Sequence, residues 1–239
     1  MTTKKEIQAL ERFIQNIYTA EELSSNESIN NLEKSLVEIV DKVTKQHRSN
    51  GLLITSNGYF LTADHCAENY SEKLIRDYQG NVYPIIRVCQ ENKNEDIALL
   101  KIEKEEQEEN YNYKIKNINL LLKDYTLGYL VEHKSRRDGK IISKLGKISK
   151  TQTKFLVTDE DDKITEYKVS NGIDAKLSYL IPGDSGGILL SYGGALIGFN
   201  SGSLDKVAGF TTIFSGLDLV QKEINTLKSP LRRLLRKFF

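Results

Sequence analysis

The sequence predicts an all-β protein of two β-barrels, with helical segments at its two ends. Three observations carry that reading. Over residues 50–102, apolar runs of strand length are separated by turn residues, and Ser56-Asn57-Gly58 joins two of them as an Asn-Gly hairpin. From Ile115 to Phe214 the alternation returns, punctuated by Leu145-Gly146, Asp159-Glu160-Asp161-Asp162, Ser170-Asn171-Gly172 and Gly193-Gly194. Between the two blocks, Glu103-Lys104-Glu105-Glu106-Gln107-Glu108-Glu109 is a charge run that reads as a solvated linker.

The elements are taken in chain order. Ile7, Leu10, Phe13, Ile14 and Ile17 recur at helical steps and form one apolar stripe. That helix either packs on the outside of a barrel or serves as a docking arm. Ser24-Ser25-Asn26-Glu27-Ser28 reads as a polar break, with Asn30 or Asn31 able to cap the next element. The apolar run from Leu36 to Val43 fits a helix or a first barrel strand. Strands are then expected at 51–55, 58–62, 82–89 and 97–102. His65 falls just past a strand end and Asp96 just before a strand start, so both belong to a barrel rim.

Ile181-Pro182-Gly183-Asp184-Ser185-Gly186-Gly187-Ile188 places one serine among glycines, immediately before an apolar strand. Glycines on both sides let the backbone bend tightly and bring N–H groups close to a substrate carbonyl. A serine hydroxyl is a weak nucleophile alone and needs a histidine base oriented by an acid. Thr62-Ala63-Asp64-His65-Cys66 and Asp96-Ile97-Ala98-Leu99-Leu100 supply both, in the chain order His, Asp, Ser.

At these three segments the chain resembles the chymotrypsin/trypsin-like serine protease family, its N-terminal region being closer to HtrA-type proteases. The resemblance implies two antiparallel six-stranded β-barrels with an N-terminal helical extension and a C-terminal helix over Leu217 to Leu227. It divides the chain into residues 1–45 (helical arm and first strand), 46–110 (first barrel, with His65 and Asp96), 111–227 (second barrel and closing helix, with Ser185) and 228–239 (tail). It also implies a serine endopeptidase with His65, Asp96 and Ser185 as triad and the N–H groups of Gly183 and Ser185 as oxyanion hole. The strands 196–202 and 207–212 resemble the walls of the family's specificity pocket. Tyr179, six residues before Ser185, would stand at the pocket's base, with Gly202 and Gly209 leaving it open. A tyrosine there argues against cleavage after Lys or Arg.

Three departures from the family pattern matter. In trypsin-type zymogens, cleavage frees an Ile-Val-Gly-Gly-like N-terminus whose amine pairs with the Asp beside the serine. No such segment precedes His65, so Asp184 needs a Lys or Arg inside the fold or another gate. Asp64 replaces a small residue and would raise the pKa of His65 if it points inward. Ile188 stands where Pro often follows Gly-Gly, which affects strand entry alone.

Composition limits the remaining readings. The 239 residues, 39% hydrophobic and 28% charged with a net charge of +1, describe an ordinary soluble globular protein with no demand for a nucleic-acid partner. No secretory signal or membrane span is legible. The two cysteines, Cys66 and Cys89, either bridge to each other or stay as two buried reduced thiols; the second reading, which the sequence favours, points to the cytoplasm or a host cytosol. No cofactor or metal is expected, and His47 and His133 receive no role. Lys228 to Phe239 is a basic amphipathic tail that packs on its own barrel, contacts a partner, or touches a membrane surface weakly. Beside the endopeptidase stand two alternatives: a catalytically silent or partner-activated binding module on a protease fold, and an adaptor acting through its termini.

Overall fold

The computed structural model describes residues 3–19, 24–104, 129–158, 164–179, 181–204 and 207–229. Helix α1 (Thr3–Thr19) lays Leu10 and Phe13 into the main core, and Ile14 packs against it. Each such side chain withdrawn from water contributes roughly 1.5–3 kcal/mol. The stretch read as a polar break begins helix α2 (Ser25–Ser35). Ser24 is its cap: Glu27 N–H donates to the Ser24 hydroxyl at 3.2 Å, and Ser24 N–H donates to the Glu27 carboxylate at 3.0 Å. This reciprocal pair satisfies donors that a helix start otherwise leaves bare. Asn30 and Asn31 therefore lie inside the helix.

The first barrel contains β1 (Leu36–Asp41), β2 (His47–Leu53), β3 (Tyr59–Thr62), β4 (Lys73–Arg76), β5 (Val82–Asn92) and β6 (Ile97–Ile102). Its antiparallel ladder runs β1-β2-β3-β6-β5-β4 and closes through β1–β4. The run from Leu36 is thus a strand. Gly58 makes the expected hairpin with φ of 90°, and a Cβ there would also meet Ile102 at 2.6 Å. The charge run departs from its reading as a solvated linker at one position: Lys104 is buried, its ammonium 5.7 Å from the centre of the Tyr83 ring. Residues 105–109 lie outside the described residues, as do the start of the second block at Ile115, the Asp159–Asp162 turn and residues 230–239 of the tail.

The second barrel contains β7 (Leu130–Arg137), β8 (Lys140–Thr158), β9 (Ile164–Leu177), β10 (Ile188–Ser191), β11 (Leu196–Leu204) and β12 (Val207–Thr212). It too is six-stranded and antiparallel, and its order β7-β8-β9-β12-β11-β10 repeats the topology of the first. Helix α4 (Ile213–Lys228) follows β12 without a linker and begins earlier than its apolar pattern alone suggested. It returns Leu219, Val220, Ile224 and Leu227 to the core that α1 and the first barrel share. Glu223 on α4 accepts from Arg87 of β5 at 3.1 Å, and Lys228 pairs with Glu11 of α1 at 2.7 Å. Both α1 and α4 therefore brace the first barrel.

Candidate active site

His65 and Asp96 meet at the rim of the first barrel. β3 ends at Thr62, and the single turn α3 (Asp64–Ala67) places His65 immediately beyond it. Asp96 sits between the turn Lys93–Glu95 and β6, in the left-handed conformation with φ of 47°. The second barrel and α4 steady that turn: the Thr211 hydroxyl donates to the Glu95 carbonyl, and the Ser215 hydroxyl to its carboxylate. His65 Nδ1–H donates to the two oxygens of Asp96 at 2.9 and 3.0 Å, and the His65 backbone N–H donates to Oδ1 at 3.0 Å. The carboxylate thereby selects the tautomer with the proton on Nδ1 and leaves Nε2 as the basic nitrogen. Nε2 lies 3.4 Å from Cys66 Sγ.

Burial opposes charge on the His65 ring, yet Cys66 and Asp96 outweigh it and hold its pKa well above the ordinary histidine value. Asp64 is buried beside it. Burial, with Asp96 adding to it, pushes the Asp64 carboxyl up to about 6. The expected influence of Asp64 on His65 thus falls instead to Cys66 and Asp96.

The serine loop is held strand by strand. The Pro182 carbonyl accepts from Arg137. The Gly183 carbonyl accepts from His47 Nε2 at 2.9 Å and from Asn50 Nδ2 at 2.8 Å. His47 Nδ1 faces Glu38 at 3.5 Å. Burial acts to raise the pKa of Glu38, but His47, the N–H groups of Gly139 and Asp138, and Arg76 lower it overall. Asn50 N–H donates to the Ser185 carbonyl at 2.8 Å, while the Thr62 hydroxyl donates to the Asn50 carbonyl at 2.6 Å. Ser185 is therefore docked on β2, and Thr62, at the end of β3 from which His65 follows, supports that contact. A Cβ on Gly186 would lie 1.9 Å from the Asn50 oxygen, so only glycine permits this approach.

The loop's own donors divide into two sets. The N–H groups of Asp184, Gly186 and Gly187 are taken by Ile181 (3.2 Å), Asn200 (2.7 Å) and Asp184 (3.0 Å). No described residue accepts the N–H of Gly183 or of Ser185. The Asp184 side chain turns away into the second barrel. There Ser135 donates to Oδ1 at 3.1 Å, Ile181 N–H donates to Oδ2 at 3.0 Å, and Lys144 forms an ion pair with Oδ2. Asp184 thus has its cation inside the fold. Among the described residues no hydrogen bond joins the Ser185 hydroxyl to His65.

The family model for the trypsin-like peptidase domain matches residues 49–199. This chain belongs to that family. Two similar solved structures share the fold of this trypsin-like domain. One is the HtrA-type protease AlgW with decapeptide, at 16% identity and a TM-score of 0.60, covering 85% of this chain and 68% of that one. The other is a serine-to-alanine form of AlgW with tripeptide, at 17% identity and a TM-score of 0.61, covering 84% and 64%. The chain thus spans about two thirds of the length of these proteases. No curated protein sequence matches it.

Within the domain, Gly202 and Gly209 face each other across the β11–β12 ladder. Tyr179 is about half exposed, and its ring lies over the Lys144 ammonium at 4.8 Å from the centroid. His133, opposite Lys144 on β7, is fully buried, and neither of its ring nitrogens has a partner among the described residues. Burial, assisted by Lys144, pushes it down to about 4, so it is neutral. Among the described residues no group of three His, Cys, Asp or Glu side chains gathers to hold a metal. Sequence reasoning missed His47, Asn50, Ser135, Arg137 and Lys144. Each touches the loop only after a β-ladder has closed, so no local signal marks them.

Proposed function

We propose that this chain is a serine endopeptidase that hydrolyses peptide bonds of a protein substrate through an acyl-enzyme. Ser185 Oγ attacks the scissile carbonyl carbon while His65 Nε2 accepts its proton, and Asp96 holds the ring and balances the charge it gains. The carbonyl oxygen becomes an oxyanion, received by the N–H groups of Gly183 and Ser185; losing one such donor costs about 10²–10³ in rate. The tetrahedral adduct expels the amine, which takes the proton from His65, and leaves an ester on Ser185. Water then repeats the sequence and releases the acid. Tyr179, Gly202 and Gly209 line the side-chain pocket. The carrying observation is the pair of unclaimed N–H groups flanking Asp184, set on a loop that Asn50 and Thr62 dock beside the His65–Asp96 pair. The peptides held by the two similar HtrA-type proteases fit a peptide substrate.

A second reading has its own observation. Nε2 of His65 meets Cys66 rather than the Ser185 hydroxyl, which suits a protease-fold module silent until a protein partner aligns the serine. A cytoplasmic setting belongs to the same proposal, because both cysteines are free thiols. Among the described residues no helix is long and apolar enough to cross a membrane.

Fluorophosphonate labelling of the full chain beside Ser185→Ala tests the proposal. Labelling that disappears with Ser185→Ala supports it. Absence of labelling in the parent chain overturns the constitutive enzyme and leaves the partner-activated module.

A further inference from the structure

The register of β8 against β7 sets Lys144 opposite His133 and Leu145 opposite Glu132. In that register Lys144 has no exposure, while its neighbour Leu145 is 69% exposed. A slip of one residue would turn Leu145 inward, but it would carry the exposed Lys147 in with it and turn the buried Ile148 out. The observed register therefore keeps Ile148 in the core, and it desolvates the Lys144 ammonium. The chain drives the lysine inward, where it meets the carboxylate of Asp184. A fully desolvated ammonium marks a site where something else is gained.

The position of Asp184 shows the gain. It lies between Gly183 and Ser185, the two residues whose N–H groups no described residue claims. Its backbone cannot turn without carrying both neighbours with it. Its carboxylate is held from three directions, by Lys144, the Ser135 hydroxyl and the Ile181 N–H. Of these only Lys144 carries charge, and the half-exposed Tyr179 ring lies over its ammonium.

We infer that Lys144 is a positioning residue: its ammonium anchors Asp184 from within the second barrel and thereby holds the N–H groups of Gly183 and Ser185 ready for an oxyanion. This rests on the endopeptidase reading for its purpose, though the anchoring itself does not. The anchor is internal, its cation carried by β8 rather than by a freed amine. Lys144 touches no substrate and acts through Asp184.

Hydrogen exchange of the full chain tests the anchoring directly. The Asp184, Gly186 and Gly187 amides are bonded only while the loop is formed. In Lys144→Met they exchange about tenfold faster or more, while β3 and β6 amides keep their protection. Propylammonium added to Lys144→Ala restores slow exchange, a rescue that lost packing alone would not give. Should Lys144→Met lose its fold, Lys144→Gln retains length and polarity without charge and is read the same way. Unchanged exchange at the loop in a folded, uncharged variant overturns the inference.

Fluorophosphonate labelling of the same samples separates the two proposals. A labelled parent with an unlabelled, loosened Lys144→Met supports both. An unlabelled parent whose loop still loosens in Lys144→Met sinks the constitutive enzyme and keeps the anchor. Equal labelling and equal exchange in parent and variant keep the enzyme and sink the anchor.

Discussion

Asp96 and Asp184 are both buried carboxylates paired with a base, one in each barrel, and the placement of their partners differs. His65 beside Asp96 keeps about a fifth of its side chain in solvent, and the ring nitrogen away from Asp96 lies 3.4 Å from Cys66 Sγ. Lys144 beside Asp184 is sealed from solvent under Tyr179. The first pair suits a proton that must arrive and leave, because an imidazole partly in water can exchange it. The second suits a charge that must stay, because a sealed ammonium has nowhere to deliver a proton. Under the proposed function, the same acid type would serve chemistry in one barrel and posture in the other.

The largest expected effect breaks the first pair. Asp96→Asn should lower the labelling rate about 10⁴-fold, because an amide no longer enforces the tautomer with Nε2 free. Labelling kinetics measure it; a loss under about tenfold would remove Asp96 from the triad.

Breaking the second pair should act first on stability. Lys144→Met leaves a buried carboxylate uncompensated, which costs about 3–5 kcal/mol in urea unfolding. Adding Asp184→Asn should recover much of that stability without recovering labelling. Recovery of both would mean that the pair has no role in posture.

A smaller effect concerns Asp64. Its folded pKa is raised to about 6. Its contribution is therefore fully present below the unfolded carboxylate value and is lost as pH rises through about 6. Asp64→Asn should match the parent near the unfolded value and exceed it in stability by roughly 1–2 kcal/mol at pH 8. Urea midpoints at the two pH values provide the comparison, and equal midpoints at pH 8 would refute it.

The smallest is a shift in pH profile. His65 must be neutral to act as base, and its raised pKa delays that form to higher pH. Labelling should therefore rise with pH. Cys66→Ala removes one of the two groups that hold the pKa up, so its curve should move to lower pH. A curve that moves the other way would show that Cys66 does not favour the imidazolium.

Much of the fold was legible because its signals are local. Asn57-Gly58 demanded a hairpin, the Ile97–Ile102 run demanded a buried strand, and the α1 stripe demanded an apolar seat. Two elements escaped for local reasons as well. The Ser24–Glu27 cap lies in a segment so polar that it reads as a break, although the buried Ser28 hydroxyl there donates to the Gly194 carbonyl at 3.0 Å. Strand β4 is four residues long with lysine and arginine at its ends, too short to show a period.

By itself the sequence determined the two barrels, the family, and the candidate residues His65, Asp96 and Ser185, because short motifs and hydrophobic alternation are properties of neighbouring residues. Only the tertiary structure decided which cation Asp184 receives and what holds the Gly183 carbonyl. Lys144 precedes Asp184 by 40 residues and Asn50 precedes Gly183 by 133. Read locally, Leu145-Gly146 and Ser170-Asn171-Gly172 are turns, whereas β8 and β9 run through them. The register of the closed ladder turns Lys144 inward and Leu145 outward, since pairing along the whole of β7 and β8 sets every side chain's face at once.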